Sequence, residues 1–268
     1  MAASRARARE LIDEGRVLVG GSVAAKAARM VDPGEAVTLT GERPRFVSRG
    51  GEKLDAALER FGVTVTGGRV LDAGASTGGF TDCLLQRGAS QVVAVDVGHG
   101  QIHESLRADE RVDVRERLNI RHVQPGALGE PAQLVVADLS FISLRIVLPA
   151  LVGAATASAD MVLLVKPQFE AGRAEASRGR GVIRDPEVWK RTLVEVMTAA
   201  VDAGLGIMGV MVSPIRGADG NTEFLLHARV GSSSADGIDV LARTVIAEVA
   251  EVAESEGVAE GVTEAGAT

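Results

Sequence analysis

The chain of 268 residues is 46% hydrophobic, with a mean hydropathy of +0.16 and a formal net charge of −7. That length suits one large domain beside a small one, and the apolar content is ample for a core. A single cysteine, Cys83, excludes an internal disulfide and fits the reducing cytoplasm, and no apolar segment follows the N-terminal arginines to make a signal peptide.

The acidic balance is local. Residues 231–268 hold eight acids and one base, Arg243, which accounts for the whole −7. Residues 1–53 hold ten bases against seven acids, with Arg5, Arg7 and Arg9 free of any acid until Glu10. The N-terminal end is therefore mildly basic and suited to a polyanion, although such a run can equally be a solvated face.

In chain order, residues 4–14 read as a helix with Ala6, Leu11 and Ile12 as its apolar positions, ended by Gly15. Val17-Leu18-Val19 is a short strand and Gly20-Gly21 a hairpin turn; residues 36–39 form another strand after the Asp32-Pro33-Gly34 turn. A compact α/β module thus covers 1–41, a linker 42–48, and a helix runs on through Phe61. Strands follow at 69–71, 91–96, 112–114, 134–138 and 161–165. The apolar stretch 146–165 is broken by Pro149 and Asp160 and reads as a helix then a strand, not a membrane span. A glycine- and arginine-rich loop spans 172–181, a helix 186–203, a sixth strand 207–212 and a seventh 224–230. Alternating strands and helices imply a parallel sheet covered on both faces. The connection 213–221 is too short for a crossover helix, so the seventh strand should run antiparallel. The large domain covers 49–231; a helix from 239 to 254 and an acidic, disordered end complete 232–268.

Residues 70–80 organise this sheet. A strand ends in Asp72, and Gly74-Ala75-Ser76-Thr77-Gly78-Gly79 turns into a helix at Phe80. The glycines allow positive φ and let a ligand approach the backbone. The dinucleotide pattern wants a second glycine where Ser76 stands, and an acid aimed at the turn repels phosphate. S-adenosylmethionine, which carries a sulfonium and an amino acid but no phosphate, suits that turn better than NAD. Asp96, ending the next strand, lies at the spacing of a ribose-binding carboxylate, with Val97 beside it. That acid serves a methyltransferase or a dehydrogenase alike.

Five segments occur in order: 47–54 (Val47-Ser48-Arg49-Gly50-Gly51-Glu52-Lys53-Leu54), 71–81, 137–143 (Ala137-Asp138-Leu139-Ser140-Phe141-Ile142-Ser143), 165–170 (Val165-Lys166-Pro167-Gln168-Phe169-Glu170) and 220–224 (Gly220-Asn221-Thr222-Glu223-Phe224). Together they resemble the TlyA family of bacterial ribosomal RNA 2′-O-methyltransferases, often called hemolysins and related to FtsJ-type enzymes. The resemblance covers residues 8–230. It implies a Rossmann-like class I S-adenosylmethionine methyltransferase fold, with a seven-stranded sheet, its last strand antiparallel, and a small N-terminal S4-like RNA-binding domain. It further implies ribosomal subunits as partners, a cytidine ribose in 16S or 23S rRNA as target, and a cytoplasmic monomer. Family members carry a further basic helix ahead of residue 4, so the resemblance implies a misassigned start or a truncated module. The C-terminal helix is similar to the longer subgroup, which acts on both subunits, whereas the N-terminal end is similar to the shorter, which acts on the large subunit only. The resemblance therefore leaves 16S, 23S or both as the target.

By motif, the resemblance places a catalytic tetrad at Lys53, Asp138, Lys166 and Glu223. A ribose hydroxyl is a poor nucleophile and needs a positioned base or strong orientation. Lys166 is expected to be that group, with Lys53 and Asp138 setting its charge and Glu223 positioning it. Cofactor contacts are expected from Asp72, Gly74, Ser76, Thr77, Gly78, Gly79, Phe80, Asp96, Val97, Asp138 and Phe141, although Phe141 reads equally as a core residue. RNA contacts are expected from Arg5, Arg7, Arg9, Arg43, Arg45 and Arg49 and from the 173–184 loop. His99 and His103 stand four apart, but no third ligand accompanies them and no metal site is expected. With 3% aromatics, an extended base-stacking platform is not expected. The rival readings are a membrane-active hemolysin and an NAD-linked oxidoreductase.

Overall fold

A computed structural model describes residues 5–13, 15–41, 44–172, 175, 177, 179–217 and 219–249. It falls into two compact units, 1–45 and 46–268.

In the smaller unit a helix, α1 (Arg5–Asp13), is followed by β1 (Val17–Val19), β2 (Ser22–Val23) and β3 (Val37–Leu39). The strands form an antiparallel sheet in the order β2-β1-β3. Gly20 and Gly21, both at positive φ, make the two-residue turn that pairs Val19 with Ser22. Leu11, Val17, Val19 and Ala24 form its small core.

The larger unit is a seven-stranded sheet between helices. Its elements are α2 (Gly50–Phe61), β4 (Arg69–Ala73), α3 (Gly79–Gln86), β5 (Gln91–Val95), α4 (Glu104–Arg107), β6 (Val112–Arg115), β7 (Ala132–Ala137), α5 (Leu144–Gly153), β8 (Ala155–Val165), α6 (Pro167–Glu170), α7 (Pro186–Asp202), β9 (Leu205–Val212) and β10 (Phe224–Val230). Strand order is β6-β5-β4-β7-β8-β10-β9. The first five are parallel, and β10 inserts antiparallel between β8 and β9. Chain progress reverses at β4, where the crossovers leave first toward β6 and then toward β8. Open sheets bind ligands at such a switch point, beyond the strands' carboxyl ends.

Two cores clothe the sheet, and the pleat divides the strands between them. On β7, Val135 and Ala137 face the layer of α5 and α7, whereas Leu134 and Val136 face α2 and α3. The one cysteine, Cys83, is fully buried on the α2–α3 side. Helix α2 ends in a left-handed Gly62 whose N–H returns to Glu59 and Leu58, with Val63 closing back on Leu58. A further helix over 238–249 buries Ala242 and Val245 in the α5–α7 core. Its expected continuation to 254 lies outside the described residues, as do Arg43, Arg173 and the acidic end.

The two units predict a clean separation of properties. A chain beginning at Phe46 should keep the thermal transition of the large unit and its cofactor affinity by calorimetry. Its affinity for ribosomal RNA should fall, while the full chain's RNA affinity should weaken steeply as salt rises.

Candidate active site

The loops after β4, β5, β6, β7 and β8 line one cavity of about 1050 Å³ at the carboxyl edge of the sheet. That volume is at the upper end for small-molecule sites, with room for a cofactor and part of a second molecule. Its walls include Gly74 and Ser76 of the first turn, Asp96, Val97 and Gly98 of the second, and Asn119 and Arg121 after β6. Residues 138–143 after β7 and Gln168 and Phe169 of α6 complete it.

Asp96 joins the first two turns. Its carboxylate accepts Ser76 N–H at 2.8 Å through one oxygen and Gly98 N–H at 2.7 Å through the other. Ser76 has a positive φ of 48°, which this bond helps to hold.

Of the eleven residues expected at the cofactor, Gly74, Ser76, Asp96, Val97, Asp138 and Phe141 line this cavity, and Asp72, Thr77, Gly78, Gly79 and Phe80 do not. The pleat explains Asp72: it shares the face of Val70, toward α2 and α3 rather than toward the turn's open side. There it is fully buried, accepts the Thr81 hydroxyl at 2.6 Å, and leaves its second oxygen without a partner among the described residues. Burial, opposed by the Thr81 bond, pushes its carboxyl up to about 7. The glycines also serve packing more than ligand approach. A Cβ on Gly74 would sit 2.3 Å from the Asp138 carbonyl oxygen, one on Gly78 2.2 Å from Leu106, and one on Gly79 2.2 Å from the Ser48 hydroxyl. Phe80 points into the α2–α3 core and Thr77 is exposed.

The four tetrad residues form two ion pairs at neighbouring strand ends. Lys166, directly after β8, holds Asp138, directly after β7, at 2.5 Å, and donates to the Ser140 hydroxyl at 3.1 Å. Lys53 on α2 donates to Glu223 at 2.6 Å, and both are buried. Because β10 runs antiparallel with Phe224 opposite Val165, Glu223 stands across from Lys166 at the same edge. Glu223 therefore closes on Lys53 and does not itself hold Lys166, contrary to the role expected for it.

Phe141 is 91% exposed, so the core reading fails; its φ is +64°, and its ring lies 5.1 Å from that of Phe169. The Lys166 ammonium lies 5.8 Å from the Phe169 ring centre. An aromatic held in a left-handed backbone at an open rim is strain of the sort that accompanies ligand contact. Sequence reasoning passed over Ser140, Phe169, Glu170 and the 118–121 segment. Their signal was position: each directly follows a parallel strand or sits in a motif already singled out. Buried Glu170 accepts Ser143 Oγ at 2.5 Å and Leu144 N–H at 2.7 Å, joining the loop after β7 to the one after β8, and burial raises its pKa. His103 is a helix cap, its ring accepting Ser105 N–H. Arg9, Arg45 and Arg49 are exposed, whereas the side chains of Arg5 and Arg7 lie outside the described residues.

A seven-stranded sheet with one antiparallel member, a switch-point cavity and an acid at the end of the second strand define a class I methyltransferase fold. A solved methyltransferase from Listeria monocytogenes shares that fold at TM-score 0.52 and 15% identity. Residues 46–230 match the FtsJ-like methyltransferase family and 1–37 the S4 domain, and the chain belongs to the FtsJ-like methyltransferase family. It is 48% identical over 252 residues, 92% of this chain and 94% of the relative, to the 16S/23S rRNA (cytidine-2′-O)-methyltransferase TlyA of Mycobacterium tuberculosis. A structure from Streptococcus thermophilus, carrying a hemolysin designation, aligns over 95% of this chain and 93% of its own at TM-score 0.81 and 38% identity. Fold and family imply S-adenosylmethionine as methyl donor.

Asp72 generates a pH prediction. Its folded pKa of about 7 lies above the unfolded value of 3.8, so the folded state binds the extra proton between those values. Stability through this group is therefore highest below about pH 4 and falls by up to a few kcal/mol as pH rises through 7. Asp72→Asn should gain melting temperature over the wild type at pH 8, and that advantage should shrink steadily as pH falls from 7 toward 4.

Proposed function

We propose that this protein transfers the methyl group of S-adenosylmethionine to the 2′-hydroxyl of a cytidine in ribosomal RNA, acting in the cytoplasm. The observation that carries the reading is the pair of buried Lys166 with Asp138 at the cavity edge, beside a second lysine–carboxylate pair. The name of the Mycobacterium tuberculosis relative supplies the substrate class.

The cavity suits the cofactor: Asp96 offers a carboxylate wall, and the Gln168 amide oxygen in the lining is buried without a partner among the described residues. Asp96 is the residue to hold the ribose hydroxyls, with Gly74, Ser76 and Val97 beside it. When bound, S-adenosylmethionine supplies an electrophilic methyl group. The chain must then orient a hydroxyl and take its proton. An ammonium has three donors; Asp138 and Ser140 engage two on Lys166 and leave one for the ribose oxygen. Asp138 fixes that geometry and is the acceptor through which the hydroxyl proton can leave. Lys53 and Glu223 neutralise each other, keeping β10 and α2 in register beneath the target without adding net charge. Phe141 and Phe169 offer an apolar face to the target nucleoside.

The hemolysin designation of some relatives is the competing reading. Among the described residues no helix is long and apolar enough to cross a membrane. Dye leakage from liposomes exposed to the pure protein would favour it.

Two sets of variants test the assignment. Asp96→Ala should fold and bind S-adenosylmethionine about ten- to a hundredfold more weakly by calorimetry, the loss of one or two charge-assisted hydrogen bonds. Lys166→Ala should keep cofactor affinity while methyl transfer to rRNA, measured with labelled cofactor, falls by roughly 10²–10⁴. Lys166→Arg should fail nearly as far, because the planar guanidinium fork misplaces the donor that the compact ammonium holds between Asp138, Ser140 and the ribose oxygen. Near-full activity of the arginine variant would reduce Lys166 to an electrostatic clamp.

A further inference from the structure

Asn221 is 1% exposed and precedes the tetrad's Glu223 by two residues, yet nothing in the reaction needs it. Its side chain is spent on a distant segment. The amide oxygen accepts Ile183 N–H at 2.9 Å, and the amide nitrogen donates to the Gly181 carbonyl at 2.9 Å. Ile183 is buried, and its own carbonyl accepts the Trp189 indole N–H at 3.0 Å. Just ahead lies a tight turn in which Val182 N–H returns to the Gly179 carbonyl; a Cβ on Gly179 would meet the Val182 oxygen at 2.0 Å. Arg180 and Gly181 are both left-handed, with φ of 52° and 88°. A non-glycine residue in that region persists only where its surroundings impose it, and the Asn221 bonds directly after it are such a restraint.

The turn presents positive charge beside the tetrad. Arg180 and Arg184 flank the segment Asn221 holds, and Arg216 donates to Thr222 Oγ1 at 3.3 Å, between Asn221 and Glu223. All three arginines are exposed, and among the described residues none has a carboxylate partner. Most other arginines at this unit's surface are paired, as Arg107 with Glu116, Arg111 with Asp109, Arg115 with Asp113 and Arg145 with Glu195. Three unpaired guanidiniums at one edge leave their donors for an anion, and guanidinium matches phosphate geometry.

We propose that Asn221 is a positioning residue that locks the 179–183 turn onto the start of β10, so that Arg180, with Arg184 and Arg216, grips backbone phosphates of the RNA strand bearing the target ribose. The proposal rests on the RNA methyltransferase reading above and adds where the strand is held. One amide thereby couples strand grip to tetrad geometry, since its neighbour Thr222 and then Glu223 follow on the same short segment.

A double-variant cycle on the full-length protein tests this, with kcat and KM for rRNA and cofactor affinity measured for each form. Arg180→Ala should raise KM for rRNA roughly tenfold, leave kcat and cofactor affinity unchanged, and lower the salt slope of RNA binding by about one. Asn221→Ala should raise KM at least as far, and Arg180→Ala should then add little in the Asn221→Ala background. Should Asn221→Ala fold poorly, Asn221→Asp, which keeps the side chain's shape and the acceptor for Ile183 N–H but sets an oxygen against the Gly181 carbonyl in place of the donor, serves instead. A full Arg180 effect in the Asn221-substituted background overturns the positioning role, and an unchanged KM and salt slope in Arg180→Ala overturns the phosphate grip. Failure of the underlying reading looks different: the wild-type protein would not methylate rRNA at all.

Discussion

The antiparallel insertion of β10 between β8 and β9 is the constraint on which the site depends. A parallel sheet delivers only strand carboxyl ends to its functional edge, and each strand reaches that edge at its finish. A strand running the other way reaches it at its start. Glu223, the residue before β10, thus arrives beside Lys166, the residue after β8, and meets Lys53 from 170 positions earlier in the chain. Three strand ends and one helix face converge without any long loop reaching across the cavity. Rigid elements hold such a constellation more closely than loops can, which matters where hydroxyl and methyl carbon must align within a fraction of an ångström.

The pairing inside this convergence is also electrostatically economical. Two buried lysines with no counter-charges would be costly to desolvate, and a buried pair tolerates burial only with good geometry. Here each lysine has its own carboxylate at hydrogen-bonding distance, and Lys166 has a hydroxyl as well. The site carries cationic donors without carrying net charge, so on the proposed reading the attraction of RNA falls to the exposed arginines around it.

Much of this was legible in the sequence, for identifiable reasons. Runs such as Val92-Val93-Ala94-Val95 are apolar on both faces, as doubly covered parallel strands must be, and the short 213–221 connection announced the reversal of β10. The first half of β8 was not legible. Ala155 to Asp160 is a run of small and polar residues, tied into the sheet where β7 pairs with Ala155 and Asp160 and β10 with Asp160. Tertiary pairing overrode a weak local preference. The buried face taken by Asp72 is hidden for a similar reason, since spacing locates a residue along a strand while the pleat decides which face it takes. The tetrad's membership came from resemblance to a family. Which lysine pairs with which acid is a matter of register, and no pattern in the chain discloses it.

The contact between Gly74 and the Asp138 carbonyl has a consequence for how variants of this enzyme must be interpreted. The first turn of the cofactor side and the backbone of the acid beside Lys166 touch so closely that no side chain fits between them. A change at Gly74 must displace Asp138, so under the proposed assignment a lesion in the first turn will be read by kinetics as damage to the reacting end. The two halves of the site cannot be altered independently here. Laboratory selections for relaxed cofactor use, and natural drift alike, will find this position closed, and adaptation must enter through the walls at Val97 and Asn119 instead.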